Sequence, residues 1–213
     1  MGSAAPVRRR LLLLAHRVPV SGEFSLNDLA GAGGRMDEVA RVASTAFTIS
    51  NGLRRDTELT ILFVSEPPPR ARRIRLESSE LRYLNPDERS TAALLKNALV
   101  RSSTLDREIE ASPGLHVGPA DPAEVLIAFA RQPGTVWLEE GGRPYQPASS
   151  ASLEVGAILS DTDNPTLPER QLLEGVGVPA VSLGPVSLRA SQCVDVLHHL
   201  WDGMAQSPWA GEG

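Results

Sequence analysis

The chain has 213 residues, 41% hydrophobic and 22% charged, enough for one sizeable domain. The longest apolar run near the N-terminus, Leu11 to Ala15, is far short of the ~20 residues of a membrane span and follows Arg8, Arg9 and Arg10 too briefly for a secretory signal, while one cysteine, Cys193, excludes an intrachain disulfide framework and a cysteine-built zinc site. The net charge is −5, but residues 1–75 hold 12 basic against 7 acidic groups and residues 76–213 hold 9 against 19; every basic residue except Lys96 is an arginine, whose planar fork suits phosphate, although an arginine-rich proteome gives the same composition with no binding role.

Residues 1–7 read as a disordered leader. Arg10 to His16 reads as a fully buried strand, followed by a long polar loop with Pro19, Gly22 and the run Gly31-Ala32-Gly33-Gly34. Asp37 to Ile49 carries Val39, Val42, Ala43, Ala46 and Phe47 at helical spacing, with Asn51-Gly52 as its stop. Leu59 to Val64 is a second buried strand, closed by Pro67-Pro68-Pro69, and Ile74 and Leu76 alternate with Arg73, Arg75 and Glu77 in a short half-exposed strand. Asn85-Pro86-Asp87-Glu88 starts a helix that runs to about Val100, with the proline at its first position. A helix over Asp121 to Arg131 is capped by Asp121 with Pro122 just inside. Strands at Val136–Leu138 and Ala157–Leu159, a short helix at Leu167–Glu174, a strand at Ala180–Leu183 and a helix from Ala190 to about Met204 complete the chain. The alternation predicts an α/β class with a largely parallel sheet, one domain over 8–205 and a flexible tail at 206–213.

The glycine run does not make a dinucleotide fingerprint, because Met36 stands where the third glycine belongs and the preceding strand ends well before it. A loop leading into a helix N-terminus that holds an anion is the weaker reading that survives. His198 and His199 are adjacent on one helix and point apart, so they make no shared metal face, and no metal is expected. Three strand-end segments are more informative: Leu138-Glu139-Glu140-Gly141-Gly142, Leu159-Ser160-Asp161-Thr162-Asp163, and Ser182-Leu183-Gly184-Pro185-Val186-Ser187-Leu188. In an open α/β sheet, ligands bind beyond the carboxyl ends of strands. By themselves the three are also compatible with ordinary connections.

Longer motifs carry a resemblance. Phe24 through Asp37 (Phe-Ser-Leu-Asn-Asp-Leu-Ala-Gly-Ala-Gly-Gly-Arg-Met-Asp), Asn51-Gly52-Leu53-Arg54-Arg55-Asp56, Leu84-Asn85-Pro86-Asp87-Glu88-Arg89-Ser90-Thr91-Ala92-Ala93-Leu94, Ser182-Leu183-Gly184-Pro185 and Ser187-Leu188-Arg189-Ala190-Ser191-Gln192-Cys193 together resemble the tRNA pseudouridine-54 N1-methyltransferases known as TrmY, in the SPOUT superfamily. The resemblance covers roughly residues 9–202. Ser160-Asp161-Thr162 replaces the Gly-Asp-His of many relatives, and Leu138-Glu139-Glu140-Gly141-Gly142 replaces Leu-His-Glu-Asp-Gly, so both family histidines are absent.

The resemblance implies an α/β fold with a C-terminal trefoil knot, a homodimer in the cytoplasm, and S-adenosylmethionine bound in bent form. Carried over motif by motif, the cofactor residues are Leu138, Ser160, Leu183, Gly184, Pro185, Val186, Ser187, Leu188 and Cys193. Leu183 and Leu188 would bracket the adenine, and backbone groups near Gly184 would meet its polar edge; core packing is the plainer role open to Leu138 and Leu188. The reaction implied moves a methyl group to N1 of pseudouridine, most specifically in the T loop of tRNA. Asp161 is the candidate for proton acceptance by position, with a loop or capping role equally open. Cys193 is expected to line the cofactor rather than attack the ring, because N1 carries its own lone pair. Asn27 and Arg35 are the choice for the base pocket, into which the packed T-loop base would have to be flipped. Arg35 as well, with Arg54, Arg55, Arg72, Arg73 and Arg75, is expected at phosphates, and Arg89 has a plain role in pairing with acids at a helix start. The alternatives are the same chemistry on ribosomal RNA or another pseudouridine, and a catalytically silent RNA-binding protein of this fold.

Overall fold

A strand buried on both faces needs an apolar run, and Arg8–Ala15 (β1) supplies one in Leu11–Ala15: in the computed structural model only its first residue is exposed. The structure describes residues 7–65, 70–147 and 154–204; the rest of the expected leader, the prolines at 67–69 and the expected tail lie outside the described residues. The pleat sends Leu11, Leu13 and Ala15 to one face of the sheet and Leu12 and Leu14 to the other, so β1 contributes to two separate cores.

Helix α1 spans Met36–Phe47. Its end differs from the expected one: Thr48–Ile49 (β2) pairs antiparallel with Gly52–Leu53 (β3), so Ser50-Asn51 is the tip of a tight hairpin and Gly52 opens its second strand rather than stopping the helix. Then come β4 (Thr57–Phe63), β5 (Arg72–Glu77) and α2 (Glu88–Ser102). Asp87 caps α2, its carboxylate accepting from the Ser90 N–H at 2.8 Å, and Pro86 stands before the cap instead of at the first helical position. A hairpin absent from the sequence reading, β6 (Ile109–Ser112) and β7 (Leu115–Pro119), turns at Gly114, which has φ of 74°. The remainder is α3 (Pro122–Ala130), β8 (Thr135–Pro144), β9 (Glu154–Ser160), α4 (Leu167–Val176), β10 (Ala180–Ser182) and α5 (Ala190–Asp202).

The large sheet has the order β10-β8-β9-β1-β4-β5-β7-β6. Neighbours from β10 to β4 are parallel, as expected, whereas β4, β5, β7 and β6 pair antiparallel, the last two joined by a short turn at Pro113-Gly114. Helices α1, α2 and α5 cover one face through Phe47, Leu95 and Trp201, and α3 and α4 cover the other through Leu126, Phe129 and Leu173.

Helix α5 is tied to the start of β1 by buried charge. Arg9, 3% exposed, reaches Asp202 at 2.7 Å, and Arg54 makes a two-pronged pair with the same carboxylate at 2.9 and 2.8 Å. His198 sits between: its Nδ1 faces Arg9 Nη1 at 3.2 Å and its Nε2 the Ala46 carbonyl at 3.1 Å, which suits a neutral ring accepting at one nitrogen and donating at the other. Burial, together with the charges of Arg54 and Arg9, pulls this imidazole down to about 3.

Two measurements check these points. An unfolded histidine has a pKa of ~6.5, so from there down to about 3 the unfolded chain takes up a proton that native His198 refuses; stability is full above that window and falls as pH falls through it. Urea unfolding of His198→Gln should show a shallower loss between pH 6.5 and 4 than the parent chain. Gly34 and Gly177 have φ of 60° and 78°, but a Cβ on Gly34 would stand 2.1 Å from the Arg17 carbonyl oxygen, and one on Gly177 would meet nothing within 4 Å. Gly177→Ala should therefore cost about 1 kcal/mol, from backbone strain alone, and Gly34→Ala clearly more, about 3 kcal/mol.

Candidate active site

Because β10, β8, β9 and β1 are parallel, their carboxyl ends emerge on one side of the sheet. Strand β8 pairs with β9 only over Thr135–Trp137. Beyond that it turns to β10, where Ala180 and Val181 pair with Trp137 and Arg143, so the stretch 138–142 is looped out. Gly142 permits the crossing, since a Cβ there would lie 2.7 Å from Val181 backbone. The space between this loop, the end of β9 and the segment after β10 is a cavity of about 380 Å³, within the ~300–1,000 Å³ usual for small-molecule sites.

Every residue expected at a cofactor, Leu138, Ser160, Leu183 through Leu188, and Cys193, lines this one cavity, and Asp161 lines it too. The wall is apolar at Leu138, Leu159, Val181, Leu183, Val186 and Leu188, and polar chiefly along 160–164 and at Glu139, Glu140, Ser182 and Ser187. Ser160 Oγ is enclosed without a hydrogen-bond partner, and Gly184, at φ of 149°, leaves open space where a side chain would project. An unsatisfied hydroxyl, a bare backbone turn and apolar walls fit an adenosine-type ligand. Ser187 Oγ donates to Glu140 Oε1 at 2.5 Å across the cavity mouth. Glu139 pairs with Arg170, whose guanidinium lies 5.8 Å from the Trp137 ring centroid.

Asp161 is not open to the cavity in the way proton acceptance requires. Its side chain has no exposed surface, and its oxygens accept from the His16 N–H at 3.0 Å and the Asp163 N–H at 3.2 Å, with the His16 ring Nδ1 at 3.3 Å. That arrangement is the loop-holding role. His16, which the sequence reading passed over, follows the last residue of β1 and turns its Nε2 to Glu169 at 3.1 Å. Burial lowers the pKa of this ring, but hydrogen bonds to Asp161 and Glu169 and their charges outweigh it, carrying the imidazole up to about 9. Its place at a strand end was the available signal; its partners are 145 and 153 positions away.

Cys193 lies on the first turn of α5 beneath the cavity. Glu38, fully buried on α1, fixes that turn by accepting from the Ser191 N–H at 2.9 Å and hydroxyl at 2.8 Å, and is itself paired with Arg41 at 2.9 Å. Burial and the Glu38 charge push the Cys193 thiol up to about 11, so it is a neutral lining group at neutral pH.

The residues expected at RNA do not converge. Arg54 serves Asp202, Arg55 donates to the carbonyls of Ser78 and Leu81 at 2.6 and 3.1 Å, and Arg75 is held by Glu77 and Glu108 at 2.7 and 2.9 Å. Arg72 is buried and donates to the Ser103 carbonyl at 2.9 Å, and Arg73 pairs with Glu108 at 2.7 Å. Arg35 lies closer to the cavity: it is paired with Asp37 and feels the charge of Arg17, which binds the cavity-lining Asp163 at 2.6 Å. Arg89 contacts no acid; it donates to the Leu26 carbonyl at 3.1 Å and Asn27 Oδ1 at 2.9 Å, tying α2 to the 25–35 loop. The anion site considered for that loop is filled from within, because Asp28 accepts from Gly31 and Ala32 N–H at 2.9 and 2.8 Å. Among the described residues, Glu77, Glu80 and His116 bring potential metal-ligand atoms within 4.8 Å of one another, outside the cavity and with Glu77 already held by Arg75. No helix among the described residues is long and apolar enough to cross a membrane.

With this geometry in hand, comparison with known proteins is direct. A family of SAM-dependent RNA methyltransferases matches residues 8–206. The chain is 34% identical over 194 residues to a tRNA (pseudouridine(54)-N(1))-methyltransferase of Methanosarcina mazei, covering 91% of this chain and 90% of that one. It is 37% identical to a protein of the same name from Methanocella arvoryzae, covering 87% and 94%. The crystal structure of Archaeoglobus fulgidus Nep1 bound to S-adenosylhomocysteine shares the fold, with a TM-score of 0.65 at 13% identity over 92% of this chain and 98% of that one. The chain belongs to this family of SAM-dependent RNA methyltransferases.

The thiol assignment has a simple readout. At pH 8, iodoacetamide should label native Cys193 at least roughly a hundredfold more slowly than a free model thiol, and unfolding in urea should restore the ordinary rate.

Proposed function

We propose, from family membership and the converging strand-end loops, that the chain transfers a methyl group from S-adenosylmethionine to N1 of pseudouridine, at position 54 in the T loop of tRNA. The observation that carries this reading is the gathering of Leu138, Ser160, Leu183–Leu188 and Cys193 around one cavity, in a chain 34–37% identical to relatives named for that reaction.

When bound, the cofactor supplies an already activated methyl group on a sulfonium. The chain's work is to bind, orient and manage one proton. Leu183 and Leu188 offer apolar surface to an adenine, the turn at Gly184 lets backbone approach its polar edge, and the free hydroxyl of Ser160 is available to a ligand atom. Cys193, neutral and packed, lines the floor and takes no covalent part. Pseudouridine is joined to ribose through carbon, so its N1–H is free, and that proton must leave as the new N–C bond forms. Asp161 holds the 160–165 loop instead of accepting it. Glu140 and Asp163 are cavity carboxylates that reach solvent, and we assign proton transfer to this pair or to water between them.

We place the target base beside the 25–35 loop, with Asn27 held by Arg89 and Arg35 beside Arg17. Arg17, Arg35, Arg54, Arg55 and Arg75 are all engaged within their own chain, and by position we assign the phosphate role to Arg35 and to Arg17, which pairs with the cavity-lining Asp163. The C-terminal segment is proposed, from the family resemblance, to thread an earlier loop as a trefoil knot, and two copies are proposed to pair.

Incubating the protein with tritiated S-adenosylmethionine and tRNA carrying pseudouridine at position 54 should label that nucleoside at N1. Transfer only to ribosomal RNA would replace the substrate, and cofactor binding without transfer to either would leave a silent RNA-binding protein. Arg35→Ala should lower the slope of log affinity against log salt by about one, while Arg75→Ala leaves it unchanged.

A further inference from the structure

The cavity wall 160–166 is an irregular loop, and an irregular loop keeps its shape only if something outside it fixes its ends. Asp161 at one end accepts from both the backbone N–H and the ring of His16, and Thr166 at the other donates its N–H and hydroxyl to Glu169 at 2.6 and 2.8 Å. The same Glu169 carboxylate faces His16 Nε2 at 3.1 Å. One imidazole therefore bridges both anchors of the loop. We propose that His16 is a positioning residue for cofactor binding: carrying protons on both ring nitrogens, it clasps Asp161 and Glu169 and so fixes the wall that includes Ser160 and Asp163. The inference rests on the cofactor reading given above.

The chemistry demands the charged ring. An imidazolium donates from both nitrogens, whereas a neutral imidazole has a single N–H and must turn a lone pair towards one of the two carboxylates. The charged groups around it come from each packed element: Asp161 and Asp163 from the loop after β9, Glu169 from α4, and Arg17 from the end of β1, the last committed to Asp163 at 2.6 Å. Two carboxylates face the ring directly, and the neighbouring cation is neutralised by its own partner. The ring titrates at about 9, so the clasp is complete at neutral pH and opens as pH rises through that value. Its contribution to folding stability has the same sign: fully present below the unfolded value of ~6.5 and lost as pH rises through about 9.

The test is the pH dependence of S-adenosylhomocysteine binding to the full chain, measured by titration calorimetry from pH 7 to 10. For the parent chain, Kd should be level at pH 7–8, weaken several-fold through an inflection near pH 9, and level again above it. His16→Gln should bind several-fold more weakly at pH 7.5 and lack that inflection; the ligand's own amino group titrates equally in both, so the difference belongs to the ring. Glu169→Gln removes one charge holding the proton and should move the inflection to lower pH, a shift that a purely structural role for His16 would not produce. Identical slopes in the parent and His16→Gln, or an inflection unmoved in Glu169→Gln, would overturn the proposal. Absence of binding by the parent chain at every pH would instead overturn the cofactor reading, and this inference with it.

Discussion

The common direction of β10, β8, β9 and β1 is the constraint on which the rest depends. Parallel strands deliver their carboxyl ends to one side, and only there do loops separated by some fifty positions in the chain meet. The departure of β8 from β9 after Trp137 then turns an edge into a cavity, because the looped-out stretch 138–142 and the segment 183–188 stand on opposite sides of the gap. A sheet antiparallel throughout would have placed these loops at alternate ends. The antiparallel half, β5, β7 and β6, contributes no cavity wall and widens the core beneath α2.

Around that frame, buried charges act as fasteners. Glu38 holds the first turn of α5, Arg9 and Arg54 hold its last turn, and Asp161 with His16 holds the loop after β9. Glu38, Arg9 and Asp161 are enclosed and each is paired, which is the condition under which a charge survives removal from water. The cost of leaving any of them unpaired is what makes these positions define geometry as well as add stability. The basic first third of the chain commits most of its guanidinium groups to its own carboxylates and carbonyls.

The two titrating histidines show how burial alone decides nothing. His198 and His16 are both largely enclosed, yet one is driven to about 3 and the other to about 9. The difference lies in their neighbours: two arginines beside His198, two carboxylates facing His16. The environment also separates Cys193 from a catalytic thiol, since the nearest strong charge, Glu38, is negative.

What the sequence by itself determined is local and periodic. The leucine run of β1, the helical spacing of α1, the Asp121-Pro122 start of α3 and the three strand-end loops were legible because their signals lie within a few neighbouring residues. The longer motifs added the family and, through it, the cavity residues. The hairpin β6–β7 escaped because its alternating runs, Ile109–Ser112 and Leu115–Pro119, are only four and five residues long, and Asn51-Gly52 suits a helix stop as well as the turn and first strand residue of a hairpin. Only the tertiary structure decided which partners hold the arginines, that Asp161 is enclosed and that His16 bridges Asp161 and Glu169. Hydrogen bonds and charge pairs across some 150 positions depend on which strands become neighbours, and no window of sequence carries that information.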